Sequence, residues 1–322
     1  MKIYNLAFLL LFPYPFASPT TDSQQKLHNN KPGGVNIILR SADAGQTWQD
    51  ISEGLPENLQ PVGFVEKDNA VYVRAGSAIF HSKPNSTAPF WEKEIFPDDY
   101  SDIAPGKNGI FAYNYGGQFL QRINRTSVWS LMYTNFQVKE VRTVFETAHG
   151  TLFIGCDNGL FKSTNSGKNW RQVYAEGWVM KLVESDGILV ATSQRGIIRS
   201  TDGGENWDRV ISEGGVGIAV EHIDGGFAAI TYNTTSKTRR VRTSYDGGQT
   251  WQPIDAGLPV SPSIASIIQV GKYFFCGHPA GVLRSPDKGK TWKLLIPSVG
   301  NKVYNLFVSG NVIYAIPRDG GC

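Results

Sequence analysis

The chain has 322 residues, of which 41% are hydrophobic, 12% aromatic and 18% charged, with 35 glycines and 17 prolines. This composition fits a folded globular protein and excludes a disordered tail or a collagen-like rod. The net charge of +3 is too small for a chain of this length to favour binding to nucleic acid.

The first residues have the features of a secretory signal peptide. Lys2 precedes an apolar stretch over residues 6–12, and small residues follow it. This stretch is too short to cross a bilayer, which needs about 20 apolar residues, and no later segment is long and apolar enough. We therefore expect a signal peptide over residues 1–20, a flexible leader over residues 21–32, and a secreted or periplasmic protein without an integral membrane span.

One eight-residue pattern recurs five times along the chain. Each copy has a serine, an Asp or Asn two positions later, a glycine two positions beyond that, and a closing tryptophan. The Asp or Asn side chain is expected to close a turn by accepting hydrogen bonds from backbone amides two residues on. The glycine supplies the positive φ of a tight hairpin, and the tryptophan opens the next strand with a large apolar face. The turn residues are Asp43, Asn165, Asp202, Asp246 and Asp287, and the tryptophans are Trp48, Trp170, Trp207, Trp251 and Trp292.

The spacing of the tryptophans predicts the architecture. Four short strands separated by turn residues recur around each octet, with no helical period between them. Trp91 and Trp129 fall in phase with the octet tryptophans, which gives seven units of about 41 residues, whereas Trp178 is out of phase. A four-stranded unit of this length is typical of a β-propeller blade. We predict an all-β fold, a single seven-bladed β-propeller over residues 33–322.

The two ends of the chain are expected to complete one blade together. Two predicted strands, residues 303–309 and 312–317, follow the last octet, and two others, residues 35–40 and 47–51, precede the first complete unit. If these four strands form the last blade, the N- and C-terminal strands close the ring. Closure removes the unpaired sheet edge that an open array would expose.

Three cysteines are too few for a disulfide framework in an exported protein. Cys156 and Cys276 lie in apolar strand-like runs, so we expect them to be small buried hydrophobic residues. A disulfide between Cys276 and Cys322 is the alternative. No spacing of cysteines resembles a metal site, and we predict neither a metal nor another cofactor.

The octets resemble the Asp-box, or bacterial neuraminidase repeat. Five near-complete copies and two degenerate ones cover nearly the whole mature chain, and the single seven-bladed ring looks most similar to the photosystem II stability and assembly-factor-like propellers. This resemblance implies a non-enzymatic scaffold that binds a protein partner. It also implies that the boxes are structural and lie away from the ligand-binding face.

The alternative is a sialidase-like glycoside hydrolase or a carbohydrate-binding propeller. A sialidase resemblance implies six blades and an early Arg-Ile-Pro motif, but the early strand here reads Ile37-Ile38-Leu39-Arg40. Xyloglucan-cleaving relatives use two propellers that face each other, and this chain has one. Both departures count against hydrolysis, although two carboxylates about 5–10 Å apart on one ring would be enough for a glycosidase. No catalytic residue is assigned.

Loops that join second to third strands and fourth to first strands are expected to form the partner-binding face. Arginines there would grip carboxylates or phosphates if they converged on one rim; otherwise they are scattered, solvated charges. Trp178 either packs near the channel or is an exposed anchor, and His278 is either a satisfied loop residue or a base. The run of arginines over residues 239–242 favours an exposed basic patch. The candidate partner-binding residues are Arg195, Arg239, Arg240, Arg318, Asp157, Trp178 and His278.

A second set of basic residues is assigned a structural role instead. A lysine or arginine directly precedes the octet serine in four copies, and this regular recurrence along the third strands argues for structure. These residues are Arg40, Lys162, Arg199 and Arg284.

Overall fold

The computed structural model describes residues 38–319, with gaps at 57–60, 69, 76–77, 83–90, 95, 97–101, 124–125, 127, 133 and 138–139. The predicted signal peptide and leader, and the alternative disulfide to Cys322, lie outside the described residues. All regular elements within the described part are strands. The predicted all-β fold is confirmed.

The strands form seven four-stranded antiparallel sheets, which we number as blades. Blade 1 contains β3 (Pro61–Lys67), β4 (Ala70–Ala75), β5 (Ala78–Ser82) and β6 (Trp91–Glu94). Blade 2 contains β7 (Asp102–Gly106), β8 (Gly109–Tyr113), β9 (Phe119–Ile123) and β10 (Trp129–Leu131). Blade 3 contains β11 (Val141–Glu146), β12 (Leu152–Cys156), β13 (Gly159–Ser163) and β14 (Arg171–Tyr174). Blade 4 contains β15 (Leu182–Ser185), β16 (Ile188–Ser193), β17 (Gly196–Ser200) and β18 (Asp208–Ile211).

The remaining three blades follow the same order along the chain. Blade 5 contains β19 (Val216–Ile223), β20 (Gly226–Asn233), β21 (Thr238–Ser244) and β22 (Gln252–Pro253). Blade 6 contains β23 (Ser266–Val270), β24 (Tyr273–His278), β25 (Gly281–Ser285) and β26 (Lys293–Pro297). Blade 7 contains β27 (Lys302–Ser309), β28 (Val312–Asp319), β1 (Leu39–Ser41) and β2 (Gln49–Asp50).

Blade 7 closes the ring with strands from both ends of the chain. Its strand order is β2-β1-β28-β27, and β1 pairs with β28 in the register Leu39↔Ala315, Arg40↔Tyr314 and Ser41↔Ile313. First strands of neighbouring blades contact one another at the junctions of blades 1 to 3 and of blades 4 to 7, as they do around the axis of a propeller. The predicted seven blades and the closure by N- and C-terminal strands are both confirmed.

The hydrophobic core is divided among the seven interfaces between blades. Each interface holds one cluster of buried side chains, and each cluster includes one tryptophan from the start of a fourth strand, within it or packed against it. Trp91 and Trp129 begin β6 and β10 and fill the interfaces of blades 7 with 1 and 1 with 2. The two tryptophans without an octet are therefore equivalent to the other five, which confirms the predicted phase.

The Asp-box turns join third to fourth strands. In blade 5, Asp246 Oδ1 accepts hydrogen bonds from the amides of Gln249 and Thr250 at 3.1 and 2.9 Å, and Thr250 Oγ1 donates to Oδ2 at 2.6 Å. The prediction of amides two residues on is wrong, because the bonded amides lie three and four residues on. Gly247 and Gly248 both have positive φ, 71° and 81°, so two consecutive left-handed residues reverse the chain and carry those amides to the carboxylate.

The basic residues before the octets bind the Asp-box of the next blade. Lys162 Nζ donates to the Gly203 carbonyl at 2.6 Å, and Arg199 Nε donates to the Gly247 carbonyl at 2.5 Å. Arg284 Nη1 donates to the Ala44 carbonyl at 2.8 Å and so connects blade 6 to the N-terminal strands of blade 7. We call these three bonds the interblade latches. The structural role predicted for the set is confirmed for these members.

Both cysteines in the described residues are buried free thiols, as predicted. Burial raises the pKa of Cys156 to about 12 and also raises that of Cys276. Within the same residues, no helix has the length and apolar character needed to cross a bilayer.

Candidate functional site

The end of the propeller opposite the Asp-boxes carries the predicted loops, and we call it the loop face. First strands begin at this end and second strands finish there. Each blade therefore contributes the loop that leads into its first strand and the loop that joins its second and third strands. Several charged residues described on this face form arginine–carboxylate pairs. The pairs decide which arginines are left to contact a partner.

One pair lies where blade 2 meets blade 3. Arg142 Nε donates to Asp157 Oδ1, and the Tyr115 hydroxyl donates to Asp157 Oδ2 at 2.8 Å. The guanidinium also lies over the Tyr115 ring, with Cζ 5.9 Å from its centroid. The hydrogen bond from Arg142 lowers the pKa of Asp157, while the bond to Asp157 raises the pKa of Tyr115. Asp157 is therefore an ionised acceptor that holds two neighbours in place.

The arginines of β21 point to alternating sides of blade 5. Arg240 makes a bidentate ion pair with Asp255, at 2.7 and 3.1 Å, and its side chain remains 43% exposed. Arg242 pairs with Glu213 and is 11% exposed. Arg239 is 8% exposed, and its Nη1 donates to the Ile264 carbonyl at 2.6 Å. The exposed basic patch expected over residues 239–242 is therefore reduced to Arg240, because Arg239 is buried and Arg242 is mostly covered in its ion pair with Glu213.

Arg195 is more exposed than Arg240, and it also lies near a carboxylate. Its side chain is 64% exposed, and Nη1 lies 3.7 Å from Glu176, which also accepts a 2.7 Å bond from Arg209. Trp178 lies close by, half-buried, just before the first strand of blade 4. Its carbonyl accepts a hydrogen bond from the Gln194 amide at 3.1 Å, which fixes the adjoining loop. The side chain thus combines the two alternatives, being partly packed and partly accessible.

Arg318 and a partly buried carboxylate, Asp102, form a second charged group on the loop face. Arg318 is exposed near the end of β28, and its charge acts on Asp102 together with that of Arg74. Burial raises the pKa of Asp102, whose Oδ1 accepts the Ile103 amide at 2.8 Å. Gly63 makes room for this carboxylate, since a Cβ there would lie 2.4 Å from Oδ1. The positive charges of Arg74 and Arg318 oppose this effect of burial, and Arg318 itself remains exposed.

His278 is a structural residue at the end of β24. It is 3% exposed, and its Nδ1 accepts a bond from the Ala280 amide at 3.0 Å. Nε2 is then the protonated nitrogen and donates to the Pro259 carbonyl at 3.0 Å. Burial lowers the pKa of the ring, in keeping with a neutral imidazole. Both nitrogens are used within the protein, which favours the satisfied residue over the base.

Asp157 is the predicted carboxylate among the pairs, and three other paired carboxylates are absent from the predicted site residues. Glu176, Glu213 and Asp255 each lie two residues after the end of a fourth strand, in blades 3, 4 and 5. Alignment of the units in phase would have shown this recurrence. In the described part of the chain, no group of three His, Cys, Asp or Glu side chains is arranged to hold a metal ion.

Comparisons with known proteins agree with this architecture. Residues 242–253 match the family model described as BNR/Asp-box repeat, and together with the seven blades this match confirms the predicted resemblance to Asp-box propellers. Among solved structures it is similar to YCF48 from Cyanidioschyzon merolae, with a TM-score of 0.61, 13% identity, and coverage of 81% of this chain and 96% of that one. No curated protein sequence matches significantly.

Two further structures are similar at comparable levels. YCF48 bound to D1 peptide has a TM-score of 0.59 and 14% identity, with 82% of this chain and 95% of that chain covered. The GH74 xyloglucanase from Xanthomonas campestris has a TM-score of 0.57 and 13% identity, with 74% of this chain and 47% of that chain covered. Identities this low establish the shared fold alone.

Proposed function

We propose that this protein is an exported, non-catalytic propeller scaffold that binds a protein partner through its loop face. The observation that carries the proposal is the pairing of four loop-face carboxylates with arginines. A glycosidase needs two carboxyl groups that face each other across a substrate. Asp157, Asp255, Glu176 and Glu213 each face an arginine of the same protein instead.

The pairing also identifies the arginines available to a partner. Arg195 and Arg318 are exposed, and Arg240 presents a partly exposed guanidinium that Asp255 holds in a fixed orientation. Arginine is enriched among the residues that dominate protein interfaces, because its planar fork binds carboxylates through two hydrogen bonds. Val260, 84% exposed between β22 and β23, adds an apolar contact on the same face. These features support a partner segment that carries acidic groups.

Likeness to a propeller that was solved with a bound peptide supports the same assignment. The predicted signal peptide supports export, and its removal is testable by sequencing the N-terminus of the mature protein. Buried Arg239 and His278 support the shape of the face and do not contact the partner in this proposal.

Capture of a partner by charge variants tests the proposal. Cross-linking in the exported fraction with wild-type protein identifies the partner, and a double variant, Arg195→Ala with Arg318→Ala, is expected to lose it. The matched control, Lys168→Ala with Lys290→Ala, removes the same charge from exposed residues of the Asp-box end. The control should retain the partner, and both variants should keep the wild-type melting temperature. Equal capture by the two double variants would contradict the assignment of the loop face.

A further inference from the structure

Tyr115 is an exposed aromatic side chain held in one position. It is 53% exposed and lies in the short loop between β8 and β9. Three hydrogen bonds between Asn114 and Gln118 close the loop: one joins backbone groups at 3.2 Å, one joins side chains at 2.6 Å, and the Gln118 amide donates to Asn114 Oδ1 at 3.0 Å. The Tyr115 carbonyl accepts the Glu140 amide at 2.6 Å from the next blade. The loop and the ring therefore lose little freedom when a ligand binds.

The edge of this ring is surrounded by groups with unused hydrogen-bonding capacity. A carboxylate has about four acceptor sites, and the Tyr115 hydroxyl and Arg142 occupy two of those on Asp157. Arg142 uses its Nε on that carboxylate, and its side chain is 38% exposed with the Nη groups as further donors. Glu140 is exposed beside them with φ of 67°. We call Tyr115, Glu140, Arg142 and Asp157 the Tyr115 platform.

The surroundings of the ring differ from those of a protein-binding hot spot. Interface cores are depleted of charged residues, and their anchors lie among other contacts that exclude water. Tyr115 is instead adjacent to Asn114, Gly116, Gln118 and the three charged residues of the platform. A single apolar face with polar groups at its edge matches the two kinds of surface that a sugar ring presents, since C–H groups cover its faces and hydroxyls project from its rim.

We propose that the Tyr115 platform binds one pyranose ring of a neutral glycan. The sugar stacks on the exposed part of the phenol ring, while its hydroxyls donate to Asp157 and accept from Arg142. One arginine and two carboxylates give the platform a net negative charge, which disfavours sialic and uronic acids. This is a binding site without bond cleavage, and it is separate from the arginines assigned to the protein partner.

Calorimetric titration of the full mature protein tests the site with three probes: methyl β-glucoside, diacetylchitobiose and sialyllactose. At least one of the two neutral probes is expected to bind with millimolar affinity, and sialyllactose more weakly. Tyr115→Ala should weaken binding of the neutral probe about tenfold, because the stacked apolar surface is lost. Tyr115→Phe should lose less, since the ring remains and only the bond to Asp157 is removed.

A second exposed tyrosine provides the matched control. Tyr245 is 49% exposed and has Lys288 Nζ over its ring at 5.2 Å, but it lies in an Asp-box turn at the opposite end. Tyr245→Ala should leave sugar binding unchanged. The proposal is overturned if neither neutral probe binds, if sialyllactose binds most tightly, or if the two alanine variants weaken binding equally. Loss of the protein partner in Tyr115→Ala, without any sugar binding by wild type, would assign the platform to the partner instead.

Discussion

Replacement of Arg284 with methionine should weaken the closure of the ring. Arg284 donates from a partly buried position on β25 to the Ala44 carbonyl at 2.8 Å, and its Cζ lies 4.8 Å from the centre of the Tyr273 ring. Methionine retains an unbranched apolar side chain but removes the charge and the donors. The Ala44 carbonyl then loses this donor, and the β1–β2 hairpin loses its polar link to blade 6.

The expected loss of stability follows from these contacts. A hydrogen bond from a charged donor contributes about 1.5–3 kcal/mol, and a stacked cation adds about 0.5–1 kcal/mol at an exposed site. Partial exposure places the sum near 2 kcal/mol. With an unfolding entropy of about 0.6 kcal/mol/K for a domain of about 280 residues, the melting temperature should fall by about 3 °C.

Hydrogen exchange distinguishes ring opening from general destabilisation. Arg199→Met is the control, because Arg199 makes the equivalent latch between blades 4 and 5, which are continuous in the chain. Both variants should melt at similar temperatures, but only Arg284→Met should accelerate amide exchange in β1 and β2, which join the other strands of blade 7 through the pairing of β1 with β28. Unchanged exchange in these strands, or equal acceleration in the two variants, would refute a closing role for the latch.

Three further predictions follow from single residues. Hydrogen bonds from Thr250 lower the pKa of Asp246, so the stability that this carboxylate contributes is present above about pH 4 and is lost as the pH falls. Asp246→Asn should therefore reduce the change of melting temperature with pH between about pH 2 and 5. Gly289→Ala and Gly187→Ala both place an alanine at a positive φ, but only at Gly289 would the new Cβ lie 2.4 Å from the neighbouring backbone. In urea unfolding, Gly187→Ala should lower the free energy of unfolding by roughly 1 kcal/mol, and Gly289→Ala should lower it by well over that amount. Cys156 and Cys276 should resist alkylation at pH 8 until denaturant is added, as measured by mass spectrometry.

The fold could be predicted because each interface between blades contains one tryptophan, and the spacing of these tryptophans gives the length of the repeating unit. Trp91 and Trp129 stand outside recognisable octets, yet each fills an interblade cluster in the same way as the octet tryptophans. The latches were also predictable as structure, since a charge that recurs in phase meets the same neighbour in each blade. The repeat pattern does not identify that neighbour, because the neighbour belongs to the next blade, about 40 residues away in the sequence.

Exposure of individual arginines was harder to predict, although part of the signal was present. Arg239 lies two residues from Val241 and therefore on the same, buried side of β21, whereas Arg240 and Arg242 lie on the other. Period-two alternation would have placed Arg239 inside. The pairing of Arg240 with Asp255 depends instead on how the chain returns after β22, and side-chain geometry of this kind is not encoded in a repeat pattern.

Residues that repeat from blade to blade have structural roles in this propeller, whereas residues outside the repeat are the candidates for function. The latches donate hydrogen bonds to carbonyls at the Asp-box end. The carboxylates after β14, β18 and β22 form ion pairs with arginines on the loop face. Most groups that repeat in phase satisfy one another, although Arg240 keeps a partly exposed guanidinium. Tyr115 and Arg318 have no counterpart in the octet pattern and remain exposed. Because a shared fold does not define a function, the departures from the repeat are where this propeller should differ from its structural relatives.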